Sequence, residues 1–555
     1  MKNSEKTKQR IGHFGFTSGL WLGAAAICVV MLGSARTASA GESSNHAIVV
    51  PPIAFTESGI VIGSTTNGIN EFLGIPYAAP PVGALRWTPP QRYGFFPKFF
   101  LQATQFGSEC TQASGGSEDC LFLNVYTPQP EFFAGEWRGL PVMFWIPGGG
   151  LIAGSSNPYD PTALVKQGVI VVTINCRLGY LGFFAQSAID AEGHLNGNYG
   201  LMDQQFALRW VRKNIAGFGG DPERVTIFGE SAGGQSVYAQ LASPLAKGLF
   251  RGAIAESGSY TEFQDYFPFI IPLADAETTG SRKVPSGAAI ADAVGCTSQM
   301  AACLRAVPAT TLVALQPFPL FPFVDGTLLT QTISAAFASG EFNRVPVISG
   351  TNHDEYRLFV ADDYDFSGHP ILTLAEYDNA VTALWGPLTI QAEVETLYPY
   401  LSYPSGGVAL GASGTDGVFS CPGRNAVQSL SQYVKTYAYE FNDENAPPPQ
   451  SAFGGALTFP LGAYHSSELQ YLFTPASFFG LPVAPLSPDQ VELSNAMVSY
   501  WTQFAKTGNP NSAGEPLWSP YNVATDEFQS LIPPTPAVES NFDSSHQCTT
   551  FWNTF

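Results

Sequence analysis

A serine enclosed by glycines, Gly229-Glu230-Ser231-Ala232-Gly233, lies between an apolar run, Val225 to Phe228, and a stretch rich in Ala, Gln, Leu and Ser. The run predicts a buried strand and the stretch a helix. Gly-x-Ser-x-Gly at a strand-to-helix turn is a nucleophile elbow, a strained turn that lifts the serine oxygen above the sheet. The glycines provide space, because side chains there would strike the adjoining strand and helix. Backbone N–H groups at the helix N-terminus face developing negative charge. A serine hydroxyl is a poor nucleophile until a base takes its proton, and the base needs an acid to hold its tautomer.

Six histidines follow the N-terminal leader: His46, His194, His353, His369, His465 and His546. Four of them follow Ser231. In the α/β-hydrolase arrangement the chain order is serine, acid, histidine. His353 lies inside the segment expected to carry the acid, His369 follows it too closely to leave room for another strand, and His546 is at the far C-terminus. His465 lies on a loop after the predicted strand Val434 to Phe441, where the base belongs. Glu355 follows the predicted strand Val345 to Gly350, with Asp354 as its local alternative for the acid. An oxyanion site needs unobstructed backbone donors. Gly148-Gly149-Gly150, after the apolar run PVMFWI, offers them alongside the N–H of Ala232.

Continuous apolar runs at Pro141 to Ile146 and Val169 to Asn175, with further strands at Leu121 to Tyr126 and Gly252 to Glu256, are the elements that must position these residues. Val49 to Ile62 predicts an antiparallel hairpin. Leu201 to Asn214 and Leu493 to Lys506 carry helical spacing. Strands alternating with helices predict an α/β fold with a mostly parallel central sheet covered on both faces. From Tyr260 to about Asn343 the pattern loosens, which predicts helical insertions over the site.

The motifs spread over most of the 555 residues and must meet at one site, so residues 41–555 are expected to form a single domain. Hydrophobic residues make up 45% and charged residues 13%, the profile of a well-buried globular protein. A net charge of -20 argues against a nucleic-acid partner and against polyanionic substrates. Lys2, Lys6, Lys8 and Arg10, the apolar core Leu20 to Leu32, and Ala38-Ser39-Ala40 read as a secretory signal peptide over residues 1–40. That core is short for the alternative, an uncleaved membrane anchor, and no other stretch could span a bilayer. Export makes disulfides plausible. Losing Cys28 with the leader leaves seven cysteines. Cys110 and Cys120 bracket a short loop, Cys296 and Cys303 another, and Cys421 and Cys548 are far apart. Cys176, at the end of a buried strand, is the expected free thiol.

The sequence resembles the type-B carboxylesterases, the family that includes acetylcholinesterase and related lipases. FGGDPERVTIFGESAGG is similar to the family's serine signature and EDCLFLNVYTP to its second signature. GNYGLMDQQFALRWVRKNIAGFGGDP, GTNHDEYRLF, GAYHSSELQYLF, YWTQFAKTGNPN and the C-terminal CTTFWNTF also have counterparts, so the resemblance covers essentially the whole mature chain. It implies an α/β-hydrolase fold and hydrolysis of small-molecule carboxylic esters through an acyl-enzyme, without metal or cofactor. It further implies Ser231, Glu355 and His465 as the triad, and Gly149, Gly150 and Ala232 as oxyanion donors. Arg86–Glu118 and Arg177–Asp203 are the implied ion pairs, and Cys110–Cys120, Cys296–Cys303 and Cys421–Cys548 the implied bridges. Pro147 stands where many members have His or Tyr, and Cys176 replaces a common Tyr. The Cys110–Cys120 loop lacks both the length of a lipase lid and the tryptophan that holds choline. This favours a general esterase over a lipase or a cholinesterase. A non-catalytic adhesion or scaffold protein on the same fold is the alternative outside enzymes, and such members typically lack part of the triad. Leu151, Phe318, Phe321 and Phe359 are candidates for the acyl pocket. Oligomeric state is not legible.

Overall fold

Alternate side chains along the central strands enter two separate cores, and that division explains the architecture. Val142, Phe144 and Ile146 join one core while Met143 and Trp145 join the other. Ile170, Val172 and Ile174 divide from Val171 in the same way, as do Val225 and Ile227 from Phe228. A strand with apolar residues at every position must be covered on both faces.

A computed structural model describes residues 50–129, 139–259, 270–280, 284–298, 300–386, 389–449, 457–473, 477–478 and 481–554. The leader expected at residues 1–40 lies outside them. Eleven of the described strands form the main sheet: β1 (Ser64–Thr66), β2 (Ile69–Pro76), β3 (Phe122–Pro128), β4 (Leu140–Ile146), β5 (Ile170–Ile174), β6 (Gly220–Glu230), β7 (Gly252–Glu256), β8 (Val347–Asn352), β9 (Thr436–Phe441), β10 (Phe528–Leu531) and β11 (Ala537–Glu539). Their spatial order is β11-β10-β9-β8-β7-β6-β4-β5-β3-β2-β1. From β10 to β5 every neighbour is parallel. The sheet turns antiparallel at both margins.

Helices α1 (Tyr199–Asn214) and α2 (Ala232–Ala242) contribute to the first core, and α4 (Pro488–Thr507) to the second. Helix α3 (Cys421–Ser431) contributes Ala426 and Leu430 to the first and Val427 to the second. Between Tyr260 and Asn343 the described residues carry five short helices, Leu273–Thr278, Gly287–Ala293, Ala301–Ala306, Ala309–Leu315 and Ile333–Ser339. The described part of the insertion therefore carries helices as expected, together with a non-helical stretch over residues 316–332. Its first ten residues lie outside the description.

The predicted strand Val434 to Phe441 forms as β9, and every residue of β9 is buried. Trp501 and Trp518 cover Tyr439, and Phe504 and Trp518 cover Tyr437. β2 has no counterpart among the predicted strands.

Cys110–Cys120, Cys296–Cys303 and Cys421–Cys548 are bonded, and Cys176 is free and buried. Burial pushes the Cys176 thiol up to about 12, so it is no nucleophile near neutrality. Arg86 grips Glu118 through Nε and Nη2, and Arg177 grips Asp203 in the same bidentate manner.

Near the C-terminus the His546 ring is buried between two carboxylates. Nδ1 lies 2.6 Å from Asp416 and Nε2 2.6 Å from Glu440. Burial alone would lower this histidine's pKa, but Glu440 and Asp416 raise it well above 6.5. A raised imidazole pKa contributes stability that is fully present below 6.5 and is lost as pH climbs through the folded-state value. His546→Leu leaves two carboxylates buried without their cation. It should cost about 3–5 kcal/mol, the usual penalty for breaking a buried pair. Urea melts near pH 6 should show the loss, and a melt matching wild type would refute this role.

Candidate active site

The elbow forms because β6 ends at Glu230 and α2 begins at Ala232, leaving one residue to reverse direction. Ser231 takes φ 56° and ψ -123°, a backbone conformation that L-residues rarely adopt. Its N–H donates to the carbonyl of Glu256 (2.9 Å) and its carbonyl accepts from the N–H of Gln235 (2.8 Å). A Cβ on Gly229 would come within 2.6 Å of the Ile146 carbonyl oxygen, and one on Gly233 within 2.0 Å of the same atom. These two glycines are required for close approach to β4.

The glycine loop continues β4. A Cβ placed on Gly148 would lie 3.3 Å from Ser231 Cβ, so the loop runs directly beside the serine. Gly149, Gly150 and Leu151 have successive φ values of 107°, 62° and 59°. The carbonyl of Gly149 accepts from Ile152 and Ala153, and that of Gly150 from Leu320. The N–H groups of Gly149, Gly150 and Ala232 have no acceptor among the described residues.

Beyond β8, Glu355 is fully buried. Its Oε1 accepts from the Asn352 N–H at 2.9 Å, and its Oε2 lies 2.5 Å from His465 Nδ1. Asp354, the alternative acid, is turned elsewhere. It pairs with Arg357 at 2.8 Å and accepts from the Ala463 N–H at 2.9 Å, which braces the loop carrying His465. The other described histidines also have places away from Ser231. His353 contacts Asp354, His194 contacts Glu192, and His369 is exposed.

Ser231 Oγ and His465 Nε2 are not hydrogen-bonded here. Nε2 lies 3.2 Å from Glu230 Oε1 instead. The same Glu230 oxygen accepts from Ser466 Oγ at 2.5 Å and ties the histidine loop to the residue preceding Ser231. Burial would lower the His465 pKa; the carboxylates of Glu230 and Glu355 outweigh it, so the net shift is upward. Burial pushes Glu230 up to about 7, against the pull of His465.

Sequence reasoning missed this carboxylate layer. Glu230, Glu256 and Glu468 are all fully buried. Glu256 accepts from Trp501 Nε1 at 2.7 Å, and burial pushes it up to about 8. Glu468 lies 2.5 Å from Asn352 Nδ2. Glu230 was visible inside the serine motif, but nothing in its spacing marked it as buried. Of the four candidate pocket residues, Phe359 lies against the His465 ring, with centroids 5.0 Å apart. The unforeseen Phe419 lies 5.1 Å away on that ring and stacks on Phe359. Phe318 is largely exposed and sits on the glycine loop, where it would meet a Cβ on Gly150 at 2.6 Å. Leu151 and Phe321 are buried in the first core.

Residues 50–551 match the family described as "Carboxylesterase family". The chain belongs to the carboxylesterase family. Para-nitrobenzyl esterase of Bacillus subtilis (strain 168) is 35% identical over 504 residues, covering 86% of this chain and 94% of that one. Acylcarnitine hydrolase of Mus musculus is 34% identical over 507 residues, covering 84% and 85%. Fumonisin B1 esterase of Sphingopyxis macrogoltabida is 33% identical over 534 residues, covering 89% of each. A solved PNB esterase structure aligns with a TM-score of 0.73 at 32% identity, covering 90% of this chain and all of that one. This carboxylesterase has the α/β-hydrolase fold and is a carboxylic ester hydrolase acting on small-molecule esters. Its three disulfides are compatible with an extracellular or periplasmic location. No helix among the described residues is long and apolar enough to cross a membrane.

Proposed function

We propose that this esterase cleaves small to medium neutral esters through an acyl-enzyme on Ser231, with His465 as general base and Glu355 holding the histidine. The observation that carries the reading is the 2.5 Å Glu355–His465 contact, in a loop tied through Glu230 to the serine elbow. Apo active sites commonly tighten the serine–histidine hydrogen bond only when substrate binds. Ser231 Oγ attacks the ester carbonyl while His465 takes its proton. The N–H groups of Gly149, Gly150 and Ala232 stabilise the tetrahedral oxyanion, and losing one such donor costs about 10²–10³ in rate in a serine protease. His465 then protonates the departing alcohol, and water repeats the sequence on the acyl-enzyme. Residues 41–555 serve as one catalytic domain, exported behind the leader at 1–40.

The relatives are named for esters of different kinds, so membership does not set acyl length. The nine residues between Cys110 and Cys120, too few for a lid, support an open site. Initial rates on p-nitrophenyl esters from acetate to palmitate test this. A rate peaking at short chains is expected. A peak at long chains, above substrate solubility, would move the reading to a lipase.

Glu230 contributes a pH effect. Its carboxylate helps to raise the His465 pKa, so Glu230→Gln should lower that value. The acidic limb of kcat/KM should then move to lower pH, because the base becomes neutral earlier. A limb that stays in place or moves to higher pH would refute the assignment.

A further inference from the structure

Three short strands form a second sheet away from the elbow: Ile53–Thr56, Gly59–Ile62 and Phe100–Gln102. Residues directly opposite in register share a face. Ala54 and Val61 are fully buried on the inner face. The outer face holds Phe55 opposite Ile60 opposite Phe100, and Ile53 opposite Ile62. An exposed strand face is normally polar, yet here Phe55 is 68% exposed and Ile53 50%. The turn leading into the third strand adds Phe95 and Phe99, at 69% and 67% exposure, with rings 5.9 Å apart.

The aromatic turn is braced. Lys98 and Phe99 both adopt φ near 60°, a costly choice for two successive non-glycine residues. Phe96 N–H donates to Ser58 O at 2.9 Å, and Gly59 leaves the room that Phe99 O occupies. The aromatic rings therefore stand on a preformed scaffold.

Charge selects the occupant. The charged residues of segments 50–62 and 91–102 are Glu57, Arg92 and Lys98; Arg92 at 3.7 Å and Lys213 at 3.6 Å both approach Glu57, so three cations stand against one carboxylate. The patch is locally cationic on a chain of net charge -20. Exposed phenylalanines rimmed by Lys and Arg match a lipid bilayer, where rings enter the acyl boundary and cations meet anionic headgroups. A second copy packed face to face would set the same local cations against one another. At physiological salt, screening over about 8 Å leaves the local cations in control.

We propose that this face docks the enzyme on an anionic lipid surface. The test is co-sedimentation of the exported, processed protein, its N-terminus verified by mass spectrometry, with phosphatidylcholine vesicles containing phosphatidylglycerol. The control variant is Phe55→Ser/Phe95→Ser/Phe99→Asn, with Asn at 99 because it tolerates positive φ. Wild type should bind at least 10-fold more tightly than the variant and more weakly to pure phosphatidylcholine. Melting temperature and p-nitrophenyl acetate turnover should be unchanged. Absence of binding, or equal binding by the variant, overturns the proposal. So does a concentration-dependent dimer that the variant abolishes, which would assign the face to a second copy.

Discussion

Ser231→Ala is expected to lower kcat for p-nitrophenyl butyrate by about 10⁶-fold, the scale of loss when a serine protease is stripped of its nucleophile. The fold should survive, because alanine keeps the Cβ and meets the same backbone strain at φ 56°. Ser231 Oγ makes no hydrogen bond among the described residues, so its removal leaves no protein partner stranded. The wild-type serine should also take a stoichiometric covalent label from an organophosphate, which the variant should not. Retained turnover would remove Ser231 from the mechanism. A wild type that neither turns over nor labels would leave only the non-catalytic scaffold reading of this chain.

Glu355→Gln should cost about 10⁴-fold in kcat, as the corresponding change does in a serine protease triad. The hydrogen-bond pattern explains why a neutral isostere fails. The Asn352 N–H donates to Glu355 Oε1, so the amide oxygen of a glutamine is held there. Its NH2 group then faces His465 Nδ1, which must become an acceptor. The ring proton moves to Nε2, and the nitrogen that should deprotonate Ser231 already carries a proton. The loss should fall on kcat with KM little changed, because no substrate contact is removed. Loss of fold, read as a lowered melting temperature at unchanged pH, would instead make Glu355 a structural residue. A kcat within 10-fold of wild type would return the acid role to an open question.

Apolar runs made the middle of the sheet legible. PVMFWI and VIVVTIN became β4 and β5 with shifts of about a residue at their ends, because burial on both faces leaves a continuous signal. The margins were not legible. β1, β10 and β11 have three or four residues each, too few for a pattern. β9 was legible as a strand; its complete burial was not, since it depends on tryptophans from α4 and a following loop. At the site, residue type and chain order pointed to Ser231 and His465 and left Glu355 and Asp354 open for the acid, a choice that only the family resemblance made. Glu230, Glu256 and Glu468 stayed hidden, since an isolated glutamate in sequence reads as a surface charge. Only the packing of α4 and of the His465 loop onto the sheet buries them. Phe419 was invisible for a similar reason: it lies far from His465 in sequence, and only the tertiary fold stacks it on Phe359.

The tie between Glu230 and Ser466 spans 236 positions of chain. During synthesis, therefore, Ser231 emerges long before His465. A nascent chain shorter than about His465 carries Ser231 without its proposed base. Even a chain that has passed His465 lacks Trp501, which donates to Glu256, and Cys548, which fastens Cys421. The contacts that brace the candidate site are thus complete only when synthesis is nearly finished and Cys421 and Cys548 have paired.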